Sequence, residues 1–402
     1  MPDSVTRWPA LLAVLAAGLA IALNVGKVPV ALPQLRAELG LTLVQAGWVS
    51  SMLTTLAFLM AAFVGMWVGR LGALRMVMGG LAVCALASAA ATLQPGWASL
   101  ITTRLLEGLG FMVVAVACPA LITAASAPAD RRFAIGLWSA YMPAGASLAM
   151  LASPLLLPRT GWAGLWLLTA AALLAALAAL WSQRRHFTAA RPSPVAGGSF
   201  LGPVRAALGH VLPWLLALSF GVWAMQHFAL IVWMPTYLQE QRQLGAGTTA
   251  VLTGAMLLAC VPGNLIGGWL IQRGVRRGPM LAVAQVLTGL GALTYSMEAW
   301  PDGLRYGAAV FVSFAGGVIP AAVMASSTVL ARSPQQIGTL QGLYMQGAQL
   351  GQFVGTPLIA AVVVATGRWD SALAISGSAA LLGIVLGLWA GRLEQRLTPS
   401  TS

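Results

Sequence analysis

Long apolar runs separated by short polar breaks make up most of this 402-residue chain. A helix needs about 20 apolar residues to cross the hydrocarbon core of a bilayer, so each run is a candidate membrane span. The runs predict twelve spans at residues 9–33, 45–68, 76–93, 98–125, 133–157, 162–181, 211–235, 248–271, 279–297, 304–331, 337–365 and 371–391.

These spans are predicted to be helices, because lipid offers no hydrogen-bond partner to an exposed backbone. Strands of a membrane barrel alternate apolar and polar positions and would not give such uniform runs. Composition agrees, since 59% of the residues are hydrophobic and only 8% are charged, against about a quarter charged in soluble domains. The predicted fold class is an all-α, multi-pass membrane protein.

The net charge of +13 raises the question of a nucleic-acid partner, which the positions of the arginines answer. Alternating the twelve spans from a cytoplasmic N-terminus places fifteen arginines in inner breaks: Arg7, Arg70, Arg75, Arg131, Arg132, Arg184, Arg185, Arg191, Arg205, Arg273, Arg276, Arg277, Arg332, Arg392 and Arg396. Five lie in outer breaks: Arg36, Arg159, Arg242, Arg305 and Arg368. The positive-inside rule then predicts two cytoplasmic termini in a bacterial inner (plasma) membrane, with the lipid bilayer and not nucleic acid as partner.

The longest polar break, residues 183–210, is rich in proline, glycine and serine and divides the spans six and six. The predicted domains are an N-terminal bundle (1–182), a cytoplasmic linker (183–210), a C-terminal bundle (211–391) and a tail (392–402). An offset of 202 residues supports this division. It relates Pro33, Gly65, Gly72, Arg75, Gly136 and Gly145 to Pro235, Gly267, Gly274, Arg277, Gly338 and Gly347.

The break after the second span carries Gly65, Gly69, Arg70, Gly72 and Arg75. This motif resembles the loop signature of the major facilitator superfamily, and with the six-and-six division the resemblance extends over almost the whole chain. Gly69 stands where that signature has an aspartate, which puts the family's charged cytoplasmic latch in doubt. The corresponding break in the second half carries Arg273, Gly274 and Arg277.

The fourth span reads Arg104, Glu107, Gly108 and Gly110 at the spacing of a second signature of the superfamily. The resemblance implies two pseudo-symmetric six-helix bundles that transport a solute by alternating access. Within the superfamily, Asn24 and Lys27 with Pro33, and Gln226 with Trp233 and Pro235, look like the cyanate and nitroimidazole transporter branch.

Four Asp, Glu, His, Lys or Arg residues lie away from the ends of the predicted spans: Lys27, Arg104, Glu107 and His227. Each costs a few kcal/mol at a helix centre unless it finds a partner, so all four are functional candidates. Asn24 and Lys27 share a helix face, as do Arg104 and Glu107, because each pair is three residues apart. Glu107 neutralises one cation, and the remaining positive charge would attract an anion.

We expect Lys27 and Arg104 to bind the solute while Asn24 and Gln226 orient it, with smaller contributions from Trp138, Tyr141, Gln346 and Gln349. Three alternatives stay open. Lys27 could snorkel to the interface. Arg104 and Glu107 could form a structural ion pair. His227 could hydrogen-bond to a neighbouring helix instead of carrying a proton.

The sequence therefore predicts a monomeric secondary transporter, without cofactor or metal, for a small and anionic solute. Proton coupling would use Glu107 or His227. Export of drugs and a transporter-like sensor are the alternatives. An enzyme is not expected, because the chain has no zinc-protease helix motif, nucleophile elbow, phosphate loop or cysteine pair. Cys84, Cys118 and Cys260 are expected to be packing residues.

Overall fold

A computed structural model describes residues 5–190, 208–331 and 334–397. The centre of the predicted linker, with Arg191 and Arg205, lies outside the described residues, as do Arg332 and the last five residues of the tail. The side chains of Arg70, Arg131 and Arg132 and the surroundings of Gly65, Gly69 and Gly136 also lie outside them. The described part of the chain contains α-helices and short 3-10 helices and no strand, which confirms the all-α prediction.

Fourteen α-helices follow one another along the described chain. They are α1 (Trp8–Leu39), α2 (Leu43–Leu71), α3 (Ala73–Ala90), α4 (Trp97–Ala125), α5 (Arg131–Ser139), α6 (Tyr141–Ser182), α7 (Val211–Arg242), α8 (Ala246–Leu258), α9 (Cys260–Gln272), α10 (Arg277–Ser296), α11 (Asp302–Gly316), α12 (Val318–Leu330), α13 (Pro334–Thr366) and α14 (Ala372–Leu397). Two 3-10 helices, Arg184–Ala190 and Trp369–Ser371, join them.

Eleven segments of the described residues are helical, long and apolar enough to cross a membrane. Twelve spans were predicted, and the difference lies in α6, which contains most of the predicted fifth span and all of the sixth. The two are separated inside α6 by Gly161, whose φ of 63° is not helical. Glycine is the residue that adopts this left-handed conformation without strain, so the chain turns there.

The described residues form two compact units. The first contains α1–α6 together with residues 232–255, which are the end of α7 and most of α8. In it, α1 packs along α6 while α2 and α3 pack on α4. The second contains the first part of α7 and residues from 256 onward, and in it α10 packs against α11 and α14.

The 202-residue repeat recurs in the packing inside each unit. In the first, Gly145 of α6 lies against the backbone of Leu19 of α1. In the second, the residues 202 positions later make the same contact, since Gly221 of α7 lies against the backbone of Gly347 of α13. Small residues at these crossings allow helix backbones to approach closely, as is common in membrane bundles.

Gly26 provides a test of this close packing. A β-carbon at Gly26 would collide with the backbone of Ala146, whereas one at Gly79 on α3 would meet no atom within 4 Å. We expect Gly26→Ala to destabilise the protein by about 1–3 kcal/mol, because overpacking forces the two helices apart. Thermal unfolding in detergent measures this effect, with Gly79→Ala as the matched control. Equal stability of the two variants would contradict the proposed helix crossing.

Candidate functional site

The Lys27 side chain on α1 is completely buried, and each of its three N–H groups has an acceptor. Nζ donates to Asn24 Oδ1 at 2.7 Å, to Ser88 Oγ at 2.7 Å and to Glu107 Oε1 at 2.6 Å. The alternative that Lys27 snorkels to the interface is wrong for this structure, because the amine points into the helix bundle and all its donors are used there.

Glu107 on α4 is shared between two cations. Its Oε1 accepts from Lys27, and its Oε2 accepts from Arg104 Nη1 at 2.5 Å. Arg104 also donates from Nη1 to the backbone oxygen of Asn24 at 3.1 Å and from Nε to that of Val49 at 3.2 Å. One carboxylate therefore joins α1 and α4, and Arg104 adds α2 to the same network.

Ser88 and Trp166 complete the surroundings of Lys27, and neither was selected from the sequence. Ser88 accepts from Lys27 and donates to the backbone oxygen of Trp166 at 2.9 Å. The Trp166 ring lies 4.5 Å from Lys27 Nζ, a cation–π distance. In the sequence, the Ser88 hydroxyl within the alanine-rich third span is only a weak indication of a site residue. The sixth span is apolar, so nothing in the sequence indicated Trp166.

The charges of this cluster do not balance. Lys27 and Arg104 contribute two positive charges and Glu107 one negative charge, and all three side chains are at most 1% exposed. Removing an ion from water costs several kcal/mol, so a buried excess charge is expensive unless hydrogen bonds stabilise it. We call Asn24, Lys27, Ser88, Arg104 and Glu107 the basic cluster. Its chemistry suits the binding of one monovalent anion.

Comparison with known proteins identifies the family. The sequence profile of the Major Facilitator Superfamily matches residues 11–356 and 241–401. The chain belongs to the major facilitator superfamily. It is therefore a multi-pass membrane transporter of a small-molecule solute and not an enzyme.

Relatives of this superfamily member include a tetracenomycin C resistance and export protein of Streptomyces glaucescens, 24% identical over 88% of this chain and 75% of that protein. Another is a probable chloroplastic anion transporter 4 of rice, Oryza sativa subsp. japonica, 25% identical over 80% of this chain and 58% of that protein. A bacterial homologue of the human lysosomal transporter Spinster has the same fold. Its inward-facing, unoccupied structure gives a TM-score of 0.80 at 15% identity and covers 98% of this chain and 99% of that one.

The second unit of the transporter holds His227 and Gln226, and each contacts other helices of that unit. His227 Nε2 lies 3.0 Å from Ser313 Oγ, and its ring stacks on Trp223. The Gln226 amide is oriented so that both its groups form hydrogen bonds. Its nitrogen donates to the Ser376 backbone oxygen at 3.3 Å, and its oxygen accepts from the Ala380 backbone N–H at 3.2 Å. These partners match the structural alternative for His227, and the proton role stays a prediction.

The remaining predicted solute contacts lie on α5, α6 and α13. Trp138 and Tyr141 stack with ring centroids 4.2 Å apart, and Trp138 also packs against α1 at Gly18. Gln346 is half-buried, and Gln349 is buried with no hydrogen bond to its Oε1. Packing explains the two aromatic residues, whereas the unpaired amide oxygen of Gln349 keeps it a candidate for the transporter's solute site.

The predicted loop residues lie at the ends of α2 and α9 and the starts of α3 and α10. Gly72 and Gly274, related by the repeat, have φ angles of 88° and 81°, where glycine is favoured. Arg75 is exposed, and the Arg273 guanidinium lies 4.5 Å from the Trp269 ring centroid. Arg277 forms an ion pair with Glu394 on α14. In the second half the basic motif thus fastens α10 to α14.

The cysteines of the transporter, Cys84, Cys118 and Cys260, are free and buried, each in a different helix. No group of three His, Cys, Asp or Glu side chains within the described ranges is placed to hold a metal ion.

Proposed function

We propose that this transporter moves a small monovalent anion and that the basic cluster is its binding site. The observation that supports the proposal is the buried excess of one positive charge around Glu107. A positive charge in a low-dielectric interior attracts an anion strongly, and in the absence of a solute the Glu107 carboxylate is the only anionic partner in the cluster. Asn24 and Ser88 hold the Lys27 amine in position.

The same geometry suggests how a proton is coupled to the anion. The Glu107 carboxylate occupies donors on both Lys27 and Arg104, so an arriving anion competes with it for both cations. Protonation of Glu107 removes its charge and weakens both ion pairs, and the two cations then become available to the solute. The anion and the proton would therefore bind together, which is the behaviour of a symporter. Alternating access would carry both across the membrane.

Two comparisons with other transporters support an anionic solute. The motifs around Asn24, Lys27 and Gln226 resemble the cyanate and nitroimidazole branch, and one relative is named a probable anion transporter. The arginine distribution supports a bacterial inner-membrane protein with both termini in the cytoplasm. We expect the transporter to act as a monomer.

Export of a drug-like solute is the second candidate, and the relative named as a tetracenomycin C export protein favours it. Sites for cationic drugs usually offer an unpaired acid. In this transporter the buried acid, Glu107, already holds two cations, so a cationic solute would find no free carboxylate in the basic cluster.

Uptake of radiolabelled acetate, nitrate and cyanate into proteoliposomes tests the proposal. We expect uptake of at least one of these anions, stimulated by an inward proton gradient and insensitive to that gradient in Glu107→Gln. His227→Gln is the matched variant and should retain the gradient response. Efflux of organic cations without anion flux would establish the second candidate instead. An absence of any flux would favour a transporter-like sensor.

A further inference from the structure

A second charged site lies at the C-terminal end of α1, nine residues beyond Lys27, in a cleft of about 300 Å³ that opens to solvent. We call it the outer cleft, after the side of the membrane on which the arginine distribution places it. Its lining comes from the ends of α1 and α7 and from Leu41 just after α1, all within the first unit. The lining residues are Pro33, Arg36, Ala37, Leu41, Thr236, Gln239 and Glu240.

An exposed ion pair occupies the outer cleft. Arg36 Nη1 donates to Glu240 Oε1 at 2.6 Å, and the two side chains are 25% and 42% exposed. Exposed pairs contribute about 0–1 kcal/mol, because water screens them and competes for both partners. The Arg36–Glu240 pair therefore exchanges partners easily, in contrast to the fully buried pairs of Glu107.

The outer cleft also has hydrogen-bond donors that lack acceptors. Arg36 Nε and Thr236 Oγ1 are buried, and neither atom has a hydrogen-bond partner. A guanidinium Nε can only donate, and a guanidinium binds planar oxyanions through two parallel N–H bonds. The other carboxylate at this end of α1, Glu38, already accepts from Gln34 and Trp162 and does not compete for Arg36.

We propose that the outer cleft is a transit site for the transported anion, at which the solute replaces the Glu240 carboxylate on Arg36. The proposal rests on the anionic solute proposed above and adds a binding step outside the basic cluster. Arg36 binds the anion through Nε and Nη2, whose N–H bonds are parallel along one edge of the guanidinium, and the Thr236 hydroxyl donates a third hydrogen bond. Glu240 keeps the guanidinium neutralised while no solute is present. Because the exposed pair has low stability, the anion exchanges with Glu240 rapidly and binds weakly, as a transit site requires.

Cysteine labelling tests this site directly. Ala37 lines the cleft and is exposed, so a cysteine introduced at this position is accessible to a label, while the three native cysteines are buried. The purified Ala37→Cys protein in detergent is labelled with a charged maleimide over a series of sodium acetate concentrations. We expect acetate to slow labelling, which we call protection. Glu240→Gln should lower the acetate concentration for half-maximal protection by up to about fivefold, because it removes the competing carboxylate. Arg36→Gln should abolish protection. Arg159→Gln, at an exposed arginine that donates to the Leu155 backbone oxygen, is the matched control and should leave protection unchanged.

Two results would overturn the transit site. One is equal protection by acetate in Arg36→Gln and in the parent protein. The other is a half-maximal acetate concentration for protection in Glu240→Gln that equals that of the parent protein. The same labelling in a Lys27→Met background separates this proposal from the proposed function. Protection that persists there shows an anion at Arg36 whether or not the basic cluster binds one. Failure of acetate, nitrate and cyanate flux with intact protection would refute the proposed function and leave the outer cleft as an anion-binding site without a transit role.

Discussion

Glu107→Gln is expected to destabilise the protein by about 3–5 kcal/mol in the absence of anions. Adding anions is expected to recover part of this lost stability. The loss follows because the substitution leaves Lys27 and Arg104 buried without a counter-ion. The gain follows because an anion can then take the position of the carboxylate. At an anion concentration 100-fold above its Kd, binding to the native state adds about 2.7 kcal/mol.

Thermal unfolding in detergent, with and without acetate, nitrate or cyanate, measures both effects. Glu38→Gln is the matched control, since Glu38 is exposed and its partners Gln34 and Trp162 are uncharged. We expect its stability to change by less than about 1 kcal/mol with no added response to anions. If anions stabilise neither Glu107→Gln nor the parent protein, the basic cluster is a structural ion network and does not bind the solute.

Lys27→Met is expected to weaken anion binding and transport by at least about 30-fold. The substitution keeps the length of the side chain and removes the excess positive charge, so that Arg104 and Glu107 remain as a balanced pair. Loss of one buried, hydrogen-bonded charge from a binding site costs about 2–5 kcal/mol of affinity. The anion-dependent rise in melting temperature and the flux into proteoliposomes both measure this loss.

The same variant makes a second comparison possible. Lys27→Met should be less destabilising than Glu107→Gln, because it leaves unpaired acceptors on Asn24 and Ser88 rather than two unbalanced cations. Each unpaired buried acceptor costs about 1–3 kcal/mol, and Ser88 Oγ still donates a hydrogen bond to the Trp166 backbone oxygen. Lys27→Arg, which keeps the charge, should retain more anion binding than Lys27→Met. Equal anion binding in the parent and in Lys27→Met would remove Lys27 from the site.

Local rules predicted part of the basic cluster. Ionisable residues are costly inside a span, which singled out Lys27, Arg104 and Glu107 among long apolar runs. Spacing of three residues then predicted two pairs, and the structure contains both: Lys27 with Asn24 at 2.7 Å, and Arg104 with Glu107 at 2.5 Å. These contacts lie within one turn of a single helix, where the helix geometry alone sets the distance.

The sequence by itself determined the helical class and the span positions, because lipid leaves the backbone no partner outside its own helix. It also supplied the excess of one positive charge. Only the tertiary structure decided where that charge is held. Lys27 and Glu107 are 80 residues apart, and Ser88 and Trp166 approach Lys27 from α3 and α6. Which helices meet depends on side-chain packing between whole helix faces, for example at Gly26 against Ala146, and no local spacing encodes that.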